Sequence, residues 1–101
     1  MTVVGKNALK RSNLMFGEVW VCSGESNMQW SVRQSVDGDL EVALAKDEDL
    51  RIVTVGNNGS QTPQKDIDGK WSVATGEDLS NFSAVGYYFG RELRRALGVP
   101  V

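Results

Sequence analysis

The segment of this sequence that reads most directly as reaction chemistry is Val19-Trp20-Val21-Cys22-Ser23-Gly24-Glu25-Ser26-Asn27-Met28. Ser26 follows a short apolar run and a glycine turn, and the residues after it open a helix. A serine so placed lies at the carboxyl edge of a sheet, where open α/β sheets bind their ligands. Backbone N–H groups at the helix start point at whatever occupies the site. They can stabilise a developing oxyanion without a charged side chain. Spacing alone leaves a plainer alternative open, because a Gly-x-Ser after a strand is also an ordinary turn with a helix cap.

What would activate the serine is missing. The chain contains no histidine, the commonest general base near neutral pH. There is therefore no Ser-His or Cys-His pair and no His-ligated metal. One cysteine, Cys22, excludes an internal disulfide and argues against a structural zinc site. Lying in the apolar run, Cys22 is expected in the core rather than as a second nucleophile.

The elements that must position Ser26 follow from hydrophobic spacing. Gly17-Glu18-Val19-Trp20-Val21-Cys22, bounded by glycine, predicts a strand buried on both faces, as in a parallel sheet, with Trp20 in the core. Before it, Thr2-Val3-Val4 predicts a short strand and then a polar turn through Asn7 and Asn13. Asp37-Gly38-Asp39 marks a break, and Leu40, Val42, Ala43 and Leu44 predict one short helix. Arg51-Ile52-Val53-Thr54-Val55 predicts a second strand, stopped by Gly56-Asn57-Asn58-Gly59.

Residues 57–70, with Pro63 and Gly69, predict an exposed loop, and Lys70-Trp71-Ser72-Val73 a short edge strand. The strongest helix signal comes last. Val85, Tyr88, Phe89, Leu93, Ala96 and Leu97 share one face, with Arg91, Glu92, Arg94 and Arg95 largely outside it. Ser83 or Asn81 caps its start and Gly98 its end. Val99-Pro100-Val101 then begins something extended, which predicts a fold cut after the start of a third core strand. The order of strands and helices is that of an α/β sheet built from crossovers. Residues 1–16 form a lead-in and 17–101 the body of a single domain.

Composition excludes several functions. With 41% apolar and 24% charged residues the chain has the content of a globular domain rather than a disordered one. A net charge of −2 gives no basic footprint for nucleic acid. Lys46-Asp47-Glu48-Asp49 reads as a solvated helix end. No stretch approaches the length of a membrane span, and the first residues lack the pattern of a signal peptide.

The wider string from Gly17 to Trp30 resembles the nucleophile block of sialate O-acetylesterases, a branch of the SGNH (GDSL-like) hydrolases. That block reads roughly Gly-Glu/Asp-Val-Trp-Leu-Cys-Ser-Gly-Gln-Ser-Asn-Met-Glu-Trp. The resemblance continues through Asp49-Leu50-Arg51-Ile52-Val53-Thr54-Val55, Gly69-Lys70-Trp71-Ser72-Val73 and Phe82-Ser83-Ala84-Val85-Gly86-Tyr87-Tyr88-Phe89-Gly90-Arg91-Glu92-Leu93. It ends with Ala96-Leu97-Gly98-Val99-Pro100-Val101.

The resemblance implies part of a three-layer α/β/α sandwich with a largely parallel sheet. It implies Ser26 as nucleophile, its N–H in the oxyanion hole, and deacetylation of sugars through an acetyl-enzyme, with no cofactor and no metal. Asn27 and Trp30 stand where they would meet an O-acetylated sugar. Members of the family are often secreted or periplasmic. Glu25 stands where the family has glutamine, and the family's Asp-x-x-His base has no counterpart here.

Two other readings are kept. One is a non-catalytic α/β module that binds sugars or self-associates through open sheet edges. The other is an acetyl xylan esterase-like hydrolase sharing the same nucleophile core. Met28 suits packing, and Arg33 suits either the surface or a sugar carboxylate. Asn58-Gly59-Ser60 and Asn81-Phe82-Ser83 match a common glycosylation pattern.

Overall fold

A computed structural model describes residues 2–5, 8–56, 62 and 69–101 of the chain. Its core forms where three short helices meet a two-stranded ladder. β1 (Thr2–Val4) turns back on β2 (Ala8–Lys10) as an antiparallel hairpin, with Val3 opposite Leu9. β3 (Arg51–Ile52) pairs antiparallel with β4 (Ser72–Val73), Arg51 opposite Val73. The expected edge strand at 70–73 is thus present. Most of the expected 57–70 loop, with Asn58-Gly59-Ser60, lies outside the described residues, as does Asn7.

α1 spans Gly38–Leu44, and the expected break before it is its entry. Asp37, at φ 55°, takes the left-handed conformation that turns the chain into the helix. Gly38 is obligatory for packing, since a Cβ there would collide with the Val32 carbonyl. α2 (Gly76–Ser80) was not visible as a periodic pattern because five residues make little more than one turn. Its first turn carries Glu77 and Asp78, which suit the positive end of the dipole. Leu79, fully buried, ties it to the core.

α3 (Ala84–Leu97) is the longest element. Ser83 Oγ accepts from Gly86 N–H at 3.2 Å, and Gly98, at φ 67°, closes the far end by donating to the Arg94 carbonyl. Its buried face differs from the expected stripe. Ala84, Tyr87 and Gly90 face the core, whereas Val85, Phe89 and Leu97 stay substantially exposed. Small residues let the helix approach closely, so Gly90 rests near Leu50 Cδ1.

Val32, Leu50, Ile52, Ala74, Leu79, Ala84 and Tyr87 make up the core. Arg91 and Arg94, expected outside, are half-buried and paired. Arg91 binds Glu41 of α1 and lies over the faces of Tyr87 and Tyr88, 5.6 and 4.9 Å from their centroids. Arg94 bonds Asp49 at 3.2 Å and lies 3.0 Å from Asp47 without the angle of a hydrogen bond. The acidic cluster at 46–49 therefore anchors α3 rather than merely facing solvent.

The α/β class expected from the element order holds, as a mixture of helices and small sheets. The expected buried strand at 17–22 does not form a ladder. Val19 is 78% exposed and Val21 89%, Trp20 rests edge-on against Phe89 at 5.0 Å, and Cys22 is exposed rather than in the core. A strand is buried on two faces only when other strands and helices cover it. Along 17–22 the one backbone bond among the described residues runs from Glu18 N–H to the Pro100 carbonyl. Both strand pairs among the described residues are antiparallel, and parallel pairing is confined to the rung that Val101 makes beside Leu50.

Candidate active site

Ser26 opens a short 3-10 turn, Ser26–Gln29, where the sequence predicts a helical start. Met28 N–H donates to the Glu25 carbonyl at 3.0 Å, which closes the turn. The first N–H groups of such a turn have no partner within it. Ser26 and Asn27 are exposed, Glu25 is exposed beside them, and Met28 is half-buried. Met28 folds back over Gly24, where a Cβ would meet its Cγ at 2.9 Å. That close approach explains why glycine precedes Glu25.

The turn is anchored from behind. Ser31 is buried, its N–H and Oγ both donate to Gln34 Oε1, and Gln34 N–H returns a bond to the Ser31 carbonyl. This capping box sets the second 3-10 turn, Val32–Gln34. Ser31 also bridges to Ser83. Val32 N–H donates to the Phe82 carbonyl at 2.9 Å, and Ala84 N–H donates to the Trp30 carbonyl at 2.7 Å. The loop carrying Ser26 is thereby pinned to the first turn of α3.

A second tie runs through Ser35. Its Oγ donates to the Val32 carbonyl at 2.5 Å and lies 2.9 Å from Tyr88 Oη. A hydroxyl has one proton, so Tyr88 is the donor in the second bond. Ser31, Gln34, Ser35 and Ser83 were not singled out as supports of the site. The Ser-x-x-Gln spacing at 31–34 was the signal that could have found two of them.

Trp30 is 55% exposed and Arg33 exposed, so neither is committed to the core. Asn81 is exposed, while Ser83 is engaged as a cap. Beside the turn runs a long open cleft. Val19, Val21, Val53, Val55, Trp71 and Phe89 are among the residues lining it. Among the described residues no cluster of acidic or sulfur side chains suited to a metal occurs.

Proteins of known function share this arrangement of sequence. Over 102 aligned residues, 92% of this chain, it is 34% identical to the sialate O-acetylesterase of Homo sapiens. It is 36% identical over the same share to that of Rattus norvegicus. Across this match the chain is similar to sialate O-acetylesterases. A solved structure, that of a carbohydrate acetylesterase from Xanthomonas citri, superimposes on 76% of the chain with a TM-score of 0.70 at 42% identity. No family model matches. The chain spans about a fifth of these relatives, 20% of the human protein, 19% of the rat protein and 18% of the Xanthomonas chain.

Three expected site residues lie along one short stretch of the chain. Ser26 and Asn27 sit on the exposed 3-10 turn and Trp30 immediately follows it. None of the three has a side-chain hydrogen bond among the described residues. The cation nearest in sequence, Arg33, begins no ion pair among them.

Proposed function

We propose that the chain supplies the nucleophile segment of a carbohydrate O-acetylesterase, with Ser26 as the nucleophile. Ser26 Oγ attacks the acetyl carbonyl carbon and the bond from that carbon to the sugar oxygen breaks. The acetyl group stays on Ser26, and the sugar oxygen takes a proton to become a hydroxyl. Water then attacks the acetyl-serine, releases acetate and restores the serine. The Ser26 N–H faces the developing oxyanion, and Asn27 and Trp30 contact the sugar. The base that takes the Ser26 proton belongs to polypeptide outside these 101 residues, because the chain has no histidine.

The observation that carries this reading is the match to acetylesterases at 34% to 42% identity across most of the chain. The mammalian relatives, both sialate O-acetylesterases, favour a sialate ester over acetylated xylan. The test is an aryl acetate assay on two forms. The chain alone should match buffer, and Ser26→Ala should change nothing. Joined in frame to the human relative's polypeptide downstream of the match, it should hydrolyse the ester, and Ser26→Ala should cut the rate roughly a thousandfold or more. A joined form whose activity survives Ser26→Ala would remove Ser26 from the role. Robust Ser26-dependent turnover by the chain alone would overturn the assignment of the base.

The exposed apolar run at 17–22 favours a second reading, in which the chain self-associates without catalysis. Light scattering across a concentration series decides it. A constant monomer mass counts against that reading.

A further inference from the structure

A second, smaller pocket adjoins the cleft. It holds about 200 Å³, and the polar residues lining it are Thr54, Lys70, Ser72, Asp78 and Asn81. Backbone packing fixes its walls. Gly69 lies so close to Thr54 that a Cβ there would meet the Thr54 carbonyl at 2.7 Å, which sets Lys70 beside the stretch after β3. Ser72 follows in β4. Asp78 rides on α2 next to the buried Leu79, and Asn81 ends that helix by donating its N–H to the Glu77 carbonyl at 3.1 Å.

None of these five side chains has a hydrogen bond or an ion pair among the described residues. Lys70 and Asp78 share the pocket without pairing with each other. A purely anionic ligand would meet Asp78 as well as Lys70, and a purely cationic one Lys70 as well as Asp78. A ligand with a carboxylate on one side and hydroxyl groups on the other suits both. The Lys70 ammonium donates to the carboxylate, Asp78 accepts from hydroxyls, and the Asn81 amide does either. The volume falls below the roughly 300–1,000 Å³ of a site for drug-sized ligands, so one sugar ring fits better than a chain of them.

The pocket also communicates with the turn that carries Ser26. Thr54, Ser72 and Asn81 line the cleft as well as the pocket, and Gly24, Glu25, Met28 and Gln29 line the cleft from the turn. Asn81 directly precedes Phe82 and Ser83, which pin Val32 and Ser31. Arg33 lines neither cavity. We infer that this pocket is a subsite for one carboxylate-bearing sugar ring, with Lys70 on the carboxylate and Asp78 and Asn81 on its hydroxyl groups. The inference rests on the esterase reading above and adds where substrate selectivity is set. The acid end is held at Lys70 while the acetyl group extends along the cleft toward the Ser26 turn. Lys70, not Arg33, is then the partner of the carboxylate.

The test titrates the isotope-labelled chain, alone and in the in-frame joined form, with the methyl glycoside of N-acetylneuraminic acid, which carries no acetyl ester to hydrolyse. Amide signals of Lys70, Asp78 and Asn81 should shift together and saturate. Lys70→Gln should weaken binding roughly tenfold, the size expected for loss of a charge-assisted bond. Converting the sugar carboxyl to its methyl ester should cost the parent as much and cost Lys70→Gln nothing further. Asp78→Ala should weaken binding of the acid and the ester, and Arg33→Gln should bind like the parent. The ester comparison needs no variant, so it stands whatever a substitution does to folding. Absence of a saturable shift at these amides in both forms overturns the inference, as does equal affinity of the parent for acid and ester. So does alanine, a zwitterion, if it shifts the same amides as strongly. Aryl acetate turnover by the joined form is read separately. Turnover without sugar binding sinks the pocket alone, and sugar binding without turnover sinks the esterase reading and leaves the pocket as a sugar site.

Discussion

Ser26, the proposed nucleophile, sits in an exposed turn of a chain without histidine, and its neighbours explain why the turn is stable by itself. The capping box at Ser31 and Gln34 and the bridge to Ser83 hold it in place. Ser31→Ala removes the buried hydroxyl from Gln34 Oε1, and should cost about 1 kcal/mol in thermal or denaturant unfolding. A loss well below that would mean the Gln34 contact is not part of what sets the turn. Tyr87 makes a different prediction. It is 4% exposed, and burial holds its hydroxyl above the ordinary tyrosine value, although Arg91 beside it acts the other way. The folded state thus keeps the proton more tightly than the unfolded one. Tyr87 stability is complete below about pH 10, the unfolded value, and is lost as pH rises through the folded value. Tyr87→Phe should flatten the alkaline limb of a denaturation series and leave the neutral range unchanged. An identical alkaline limb in the variant would show that Tyr87 is not its source.

The elements differ in how much of them the sequence disclosed. α3 could be read because it has a cap at each end and a long periodic stretch between, and the ends fell where Ser83 and Gly98 place them. Its buried face could not be read, because periodicity marks an apolar stripe without saying what covers it. Val85 and Phe89 lie on that stripe yet are exposed, while Gly90 faces the core, where a hydrophobic scale gives it no weight. The same reason hid the state of 17–22. Its composition fits a buried strand, but burial comes from neighbours that the segment itself does not contain. The turn that carries Ser26 was legible from its glycine, whereas the supports at Ser35 and Tyr88 depend on a contact across 53 residues. At this scale Gly38→Ala is the sharpest probe. The added methyl would meet the Val32 carbonyl, so α1 must shift or unwind. A loss of roughly 1–3 kcal/mol is expected, the range for overpacking a closed site. A variant as stable as the parent would mean that α1 is free to move away from the turn at Val32.

Over the whole molecule, the radius of gyration of 15.4 Å exceeds the roughly 13 Å of a compact chain of this length. The excess accords with an apolar stretch left uncovered. A net charge of −2 supplies little repulsion to keep such surfaces apart. The open backbone of 17–22 adds a template for pairing, so association should grow with concentration. Val21 is the position at which to test this, being exposed and outside the core. Val21→Lys places a charge on the open run, the device by which natural edge strands avoid pairing. Its effect on folding should stay within about 0.5 kcal/mol, since the side chain packs on nothing in the core. Sedimentation should then show the parent gaining mass with concentration and the variant remaining monomeric, with the same thermal midpoint for both. A parent that stays monomeric throughout would show that the exposed run does not recruit a second copy. A variant that associates as strongly as the parent would move the contact to another surface, with the exposed side of α3 the next to test through Phe89→Lys.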